Sequence, residues 1–182
     1  MNKIFIIFIG VIFFLLSNKS IDKKNLVQWC SERKLNWDDF LGTPDTINNP
    51  LADAAVFTSL EITKNEFIDG LPRLEVKSFF IKSKSWRIVN DSSTLAHEQL
   101  HFDIAEIYAR KIRKAFDSLN KLKVNHSGPY SKVFSILAQE KNEYNMLYDL
   151  NVYSNKEKQK EWSLIVAKEL EELQAYELKC NE

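Results

Sequence analysis

The stretch Leu95-Ala96-His97-Glu98-Gln99-Leu100-His101-Phe102-Asp103-Ile104-Ala105-Glu106-Ile107-Tyr108 decides the reading of this chain. It contains His-Glu-x-x-His, and its flanks have helical spacing. Ala96, Leu100, Ile104 and Ile107 recur at the helical period, and Ala105, Ala109 and Ala115 add helix propensity. Asp91, Ser92 and Ser93 precede the run as N-cap candidates. On a helix, side chains at i and i+4 share a face, with Cβ atoms roughly 5–6 Å apart. Two imidazoles so placed, His97 and His101, reach one metal ion at Zn–N distances of about 2.0–2.1 Å. Glu98 is turned about 100° from His97, so it stands beside such a metal rather than on it, as candidate general base. Zinc lowers the pKa of bound water from about 15.7 to around 7, within reach of a carboxylate. A surface helix with two solvated histidines is the bland alternative. Against it, the chain has only 3 histidines and two of them fall in this pattern.

Downstream of the motif the pattern reads as three helices. The motif helix spans about 93–122, and Asn125 to Pro129 break it. A second helix starts near Tyr130 with Val133, Leu137, Tyr144 and Tyr148 on one face, and is broken over 151–155. A third spans about 156–178, with Trp162, Ile165, Val166, Leu170 and Leu173 as its apolar face. Upstream, the pattern changes to strands. Leu26 to Trp29 is β-prone, and Trp29 and Trp37 are core candidates. Residues 36–40 suit a short helical turn. Val56, Thr58, Leu60 and Ile62 alternate with period two, Asp69-Gly70-Leu71-Pro72 reads as a turn, and Leu74, Val76 and Phe79 to Ile81 read as the returning strand of a hairpin. The fold expected is α+β and zincin-like: an antiparallel sheet from the N-terminal half packed on three helices, the first carrying the motif. An edge strand next to the motif helix has a possible use in holding an extended substrate by backbone pairing.

A catalytic zinc takes about three protein ligands, which leaves one to find. His126 is the remaining histidine, but a continuous helix from His101 to the 122 region carries the chain about 30 Å away. The returning helix comes level with His101 near residues 148–153, where Asp149 and Tyr153 offer oxygens. Glu140 and Glu143 fall about one to three turns short. Leu100 and Phe102 are expected to pack beneath the ligands. Asp103 is placed either to orient a ligand or to pair with a nearby Lys or Arg.

The segment from His97 to Lys111 resembles the signature helix of a bacterial family of predicted secreted zinc-dependent proteases, catalogued as domain of unknown function family 922. Arg33-Lys34-Leu35-Asn36-Trp37-Asp38-Asp39-Phe40-Leu41-Gly42 resembles that family's N-terminal segment. Tyr148-Asp149 with Gln159 and Trp162 resembles its C-terminal one, so the likeness spans roughly residues 27–175. The resemblance implies a zincin-like metallopeptidase. At one place the chain departs from the family's pattern: where the family has a histidine shortly after Tyr-Asp, this chain has Leu150-Asn151-Val152-Tyr153-Ser154, with Tyr153 in the histidine's place. A phenol, with a reference pKa near about 10, binds zinc less readily than imidazole at neutral pH.

The chain opens with Lys3 and a 13-residue apolar run over 4–16, shorter than the roughly 20 residues a membrane span needs and suited to a signal peptide. Residues 1–20 are read as that signal and 21–182 as one domain, exported to the periplasm or the extracellular space, with no stable membrane span after cleavage. Removing 1–20 takes Lys3 and Lys19 and no acid, leaving 23 basic against 25 acidic residues. That balance argues against nucleic acid as a partner. Cys30 and Cys180, near the two ends of the domain, either pair in an oxidising compartment or remain buried thiols. They lack the spacing of a zinc site. Two functions stand at this point. One is a secreted Zn2+-dependent metallohydrolase, a peptidase acting on peptide or protein substrates, with His97 and His101 as ligands and Glu98 as base. The other is an exported zincin-like binding or structural protein whose metal site is weakened or lost, a reading motivated by the absent third histidine.

Overall fold

The computed structural model describes residues 23–152 and 155–180. Residues 1–20, read from the sequence as a signal peptide, and Tyr153 lie outside the described residues. Five strands come first: β1 (Leu26–Gln28), β2 (Ala54–Ala55), β3 (Thr58–Ile68), β4 (Leu71–Ile81) and β5 (Trp86–Arg87). Three helices follow: α1 (Ser92–Lys121), α2 (Gly128–Val152) and α3 (Lys156–Glu172). The α+β architecture expected from the sequence is what the chain adopts, and Asn36 caps a short 3-10 turn at Trp37–Asp39 as the pattern suggested.

β3 and β4 form an antiparallel hairpin, and β1 pairs with the other edge of β4, giving the order β1-β4-β3. The hairpin turn is shorter than the four residues expected. Asp69 (φ 52°) and Gly70 (φ 73°) alone make it, both in the left-handed region that a two-residue type I′ turn demands. Leu71 and Pro72 belong to β4, paired with Ile68 and Phe67. Along β4, Val76, Ser78 and Phe80 are buried at alternate positions, and that face packs on α1. β2 and β5 form a separate two-stranded ladder that brings Ala54–Ala55 against the start of α1.

Asp91 caps α1, its carboxylate accepting from Thr94 N–H at 2.9 Å. Thirty residues give a helix about 45 Å long. From Phe102 to Ala109 every residue is buried, because the sheet covers one side of α1 while α2 and α3 cover the other. Val27, Trp29, Leu35, Phe40, Phe80 and Phe102 make the core under β1. Leu100, Ile104, Ile107, Tyr148, Trp162 and Val166 make the core between the helices.

α3 ends at Glu172, six residues before the boundary expected, and a 3-10 turn over Gln174–Tyr176 follows. The cause lies on α1 and was invisible to periodicity. Arg113 donates to the Tyr176 carbonyl at 2.7 Å and to the Val76 carbonyl at 2.6 Å, while Arg110 donates to the Leu170 carbonyl at 2.7 Å and pairs with Glu177 at 2.9 Å. Both guanidinium groups also contact Glu106, whose other oxygen accepts from Ser78 Oγ at 2.6 Å. Buried charges need such pairing, and meeting it turns the chain off the helix. The tail then reaches Cys180, which is disulfide-bonded to Cys30 with Cα atoms 5.4 Å apart. Of the two states left open for these cysteines, the chain takes the pair. No helix among the described residues is long and apolar enough to cross a membrane.

Candidate metal centre

α1 and α2 run past each other so that the first turns of α1 face the last turns of α2. His97 and His101 project from one face of α1, one turn apart. Asp149 projects from α2 toward both. Three donor atoms converge: His97 Nε2 and His101 Nε2 are 3.2 Å apart, and Asp149 Oδ1 lies 3.3 Å from the first and 3.0 Å from the second. A tetrahedral ion with ligands at about 2.0–2.1 Å holds its ligand atoms about 3.3–3.4 Å apart, so the triangle fits one such ion. Two nitrogens and a carboxylate oxygen suit a borderline divalent metal and leave the fourth position open. Asp149 is half exposed, at 53% of its side chain, so that position faces solvent.

The surrounding side chains hold this arrangement. His101 Nδ1 donates to Asn145 Oδ1 at 2.9 Å, which leaves the Nε2 lone pair aimed into the triangle. Asn145 and Asp149 are themselves i and i+4 on α2, so a single helix face supplies both a ligand and the group that orients another ligand. Tyr148, fully buried, stacks on His97 (centroids 4.8 Å, 23°) and meets His101 edge-on (5.0 Å, 75°). Burial raises the pKa of its phenol further above the usual tyrosine range, with help from the charges of Asp149 and Glu98, so Tyr148 stays neutral as a ring that fixes both imidazoles. Leu100 and Phe102 are both buried, Leu100 in the cluster that contains Tyr148 and Phe102 in the core under β1.

Glu98 is buried beside the triangle. Burial raises its pKa, the nearby imidazoles oppose that shift, and the Val56 backbone N–H supports the charged form. Val56 lies between β2 and β3, so the segment after the two-stranded ladder brings a backbone donor to Glu98. At His101, burial works against protonation, but the carboxylate of Asp149 outweighs it and the pKa is raised. Asp149 is held well below the usual carboxylate range. Burial would raise it, but the hydrogen bonds and charges of His101 and His97 prevail. A cation entering the triangle therefore competes with a proton.

The structure brings together His97, His101, Glu98 and Asp149, and leaves His126, Glu140 and Glu143 elsewhere; Tyr153 lies outside the described residues. His126 sits by Gly128 in the turn between α1 and α2. Glu140 acts electrostatically on Tyr108, and Glu143 accepts from Gln139. Of the two roles the sequence allows Asp103, the described residues show the pairing one. Asp103 accepts from Trp29 Nε1 at 2.7 Å and Gln99 Nε2 at 2.8 Å and lies 3.6 Å from Lys34, pinning α1 to the segment after β1. Cys30, Glu32 and Cys180 also lie together, but the disulfide removes both sulfurs as ligands. The sequence reading missed Asn145 and Val56. The first was legible in principle, because Asn145-x-x-x-Asp149 mirrors His97-x-x-x-His101 on the facing helix. The second acts through its backbone, so no side chain announces it.

The chain matches no protein-family model, no curated protein and no solved structure. None of these comparisons supports the likeness to the secreted protease family, which stands as an expectation from the motif helix and its two flanking segments. The metal centre rests on geometry: His97, His101 and Asp149 form a group able to hold an ion, with Glu98 adjacent.

Proposed function

We propose that this chain is a zinc-dependent hydrolase of the His-Glu-x-x-His type, acting on peptide bonds after export. The observation that carries the proposal is the triangle of His97 Nε2, His101 Nε2 and Asp149 Oδ1, sized for one tetrahedral ion and flanked by a buried carboxylate. Zinc held there supplies a Lewis acid that polarises a carbonyl and acidifies water. The protein's own groups do the rest. His97, His101 and Asp149 bind, while Asn145 and Tyr148 orient the imidazoles. Glu98, held by the Val56 N–H, takes the proton from the attacking water oxygen and passes it to the leaving amine nitrogen.

Met146 and Leu150, near Asp149 on α2, are exposed, as is Phe57, next to Val56. An open rim with apolar side chains suits a polypeptide. The alternative of a binding protein without a metal rests on the absent third histidine; Asp149, 3.3 Å from His97 Nε2 and 3.0 Å from His101 Nε2, supports the metal-holding reading. Export is supported by the Cys30–Cys180 disulfide, since such bonds persist in oxidising compartments. The likeness to the secreted protease family points the same way.

The test is Glu98→Gln on zinc-loaded protein against a mixture of unstructured peptides. The variant should keep its zinc and lose hydrolysis by about 100-fold or more, the scale of general base catalysis. Hydrolysis at the parent rate in Glu98→Gln would overturn the mechanism. No hydrolysis by the zinc-loaded parent would overturn the activity.

A further inference from the structure

Lys141 lies on α2 one turn before Asn145 and two before Asp149, about 12 Å from Asp149 along the helix axis. It is 9% exposed. An ammonium has three donors, and among the described residues Lys141 uses one, a 3.3 Å bond to Thr58 Oγ1. Among the described residues no carboxylate acts on it, and burial lowers its pKa. Lysine is almost never fully buried without a partner, and an unpaired buried charge is costly. If the position served packing alone, methionine would fill it without that cost.

The place of this ammonium gives the cost a use. Thr58 opens β3 two residues after Val56, whose N–H supports Glu98. Lys141 therefore borders the same extended segment that holds the base, on the helix that supplies the third ligand. Val56 and Thr58 are two residues, about 7 Å of extended chain, apart, so a substrate lying along that segment would bring a group about two residues from the reacting bond toward Lys141. We propose that Lys141 anchors a carboxylate of the substrate, either the free terminal carboxylate of a peptide or an acidic side chain. The identity of the ligand as a peptide rests on the hydrolase reading; the anionic character of the subsite does not.

The test uses the full chain, zinc-loaded and carrying Glu98→Gln so that peptides survive. Three forms of one peptide are compared by equilibrium binding: a neutral C-terminal amide, the same peptide with a free terminal carboxylate, and the amide with a single Glu placed at each position in turn. At least one acidic form should bind about tenfold or more tightly than the neutral amide, the scale of a charge-assisted hydrogen bond. Which form does so identifies the source of the carboxylate. Adding Lys141→Met should abolish that preference, and Lys141→Arg should restore part of it. Equal binding of acidic and neutral peptides overturns the proposal, as does no binding of either. Persistence of the preference in a folded, zinc-loaded Lys141→Met chain overturns it as well. The first comparison needs no change at Lys141, so a folding defect in that variant cannot blunt it. A Lys141-dependent preference without hydrolysis by the parent removes the peptidase reading and keeps the anchor. Hydrolysis without the preference does the reverse.

Discussion

Replacing Asn145 by alanine removes one hydrogen bond and no metal ligand, and the expected result is weaker zinc binding in an intact fold. The bond is the 2.9 Å contact that keeps the proton on His101 Nδ1 and the lone pair on Nε2. Groups that orient a metal ligand in this way are worth 10–100-fold in metal affinity, or about 1.4–2.7 kcal/mol. Here the lower part of that range applies, about 10–30-fold, because Tyr148 still holds the ring edge-on at 5.0 Å. The imidazole is only 14% exposed, so water is a poor substitute for the lost acceptor. Asn145→Asp keeps the acceptor and adds charge, and it should bind zinc at least as tightly as the parent. Zinc affinity measured at pH 7 by competition with a chelator, alongside circular dichroism as a check of folding, separates these outcomes. An unchanged affinity in Asn145→Ala, or an equal loss in Asn145→Asp, would refute the assigned role.

Three further outcomes follow from the framework. The Cys30–Cys180 bond joins residues 150 apart, for which the chain-entropy relation gives about 5 kcal/mol as an upper figure; Cys180→Ser should lower stability in denaturant by about 2–5 kcal/mol, and a loss below about 1 kcal/mol would contradict this. At Asp39, burial raises the pKa, but the Asn36 N–H with Arg33 (2.7 Å) and Lys82 (3.2 Å) outweigh it and lower the pKa overall. A lowered folded-state pKa contributes stability that is present above the unfolded value near about 3.9 and is lost as pH falls through the folded value; Asp39→Asn should therefore be destabilising at pH 7 by urea denaturation, with the gap closing in acid, whereas a gap independent of pH would refute the pairing. A Cβ on Gly42 would lie 2.8 Å from the Ser85 carbonyl oxygen and 2.9 Å from backbone atoms of Lys84, so Gly42→Ala should cost about 1–3 kcal/mol, read as a lower Tm; an unchanged Tm would show that the loop yields freely.

Much of this molecule was legible in the sequence, and for identifiable reasons. α1 declared itself because the helical spacing of its apolar residues and its Asp91 cap agree with each other, and its observed bounds are within one residue of the expected ones. The β3–β4 hairpin was legible from period-two alternation and Asp69-Gly70, although the turn was drawn two residues too long because Pro72 reads as a breaker and yet sits in β4. The early end of α3 was hidden, since Arg110 and Arg113 act on it from about 60 residues away. At the site, His97, Glu98 and His101 follow from one motif on one helix. Asp149 was one of two oxygens that a helix-length argument placed level with them. That Asp149 faces the imidazoles depends on the rotation of α2 about its axis, which Tyr148 sets by packing inward against His97 and Trp162. Long-range registration of this kind leaves no periodic trace in a single chain.

The account turns on Asp149 as the third ligand, and zinc binding to four proteins tests it: the parent chain, His97→Ala, His101→Ala and Asp149→Ala. The parent should hold about one zinc per chain after dialysis, and each variant should lose about 100-fold or more in affinity, because each leaves one corner of the triangle empty. Tyr153→Phe, measured beside them, should bind as the parent does. Parent-like zinc affinity in Asp149→Ala, or its loss in Tyr153→Phe, would contradict the triangle and return the third ligand to Tyr153.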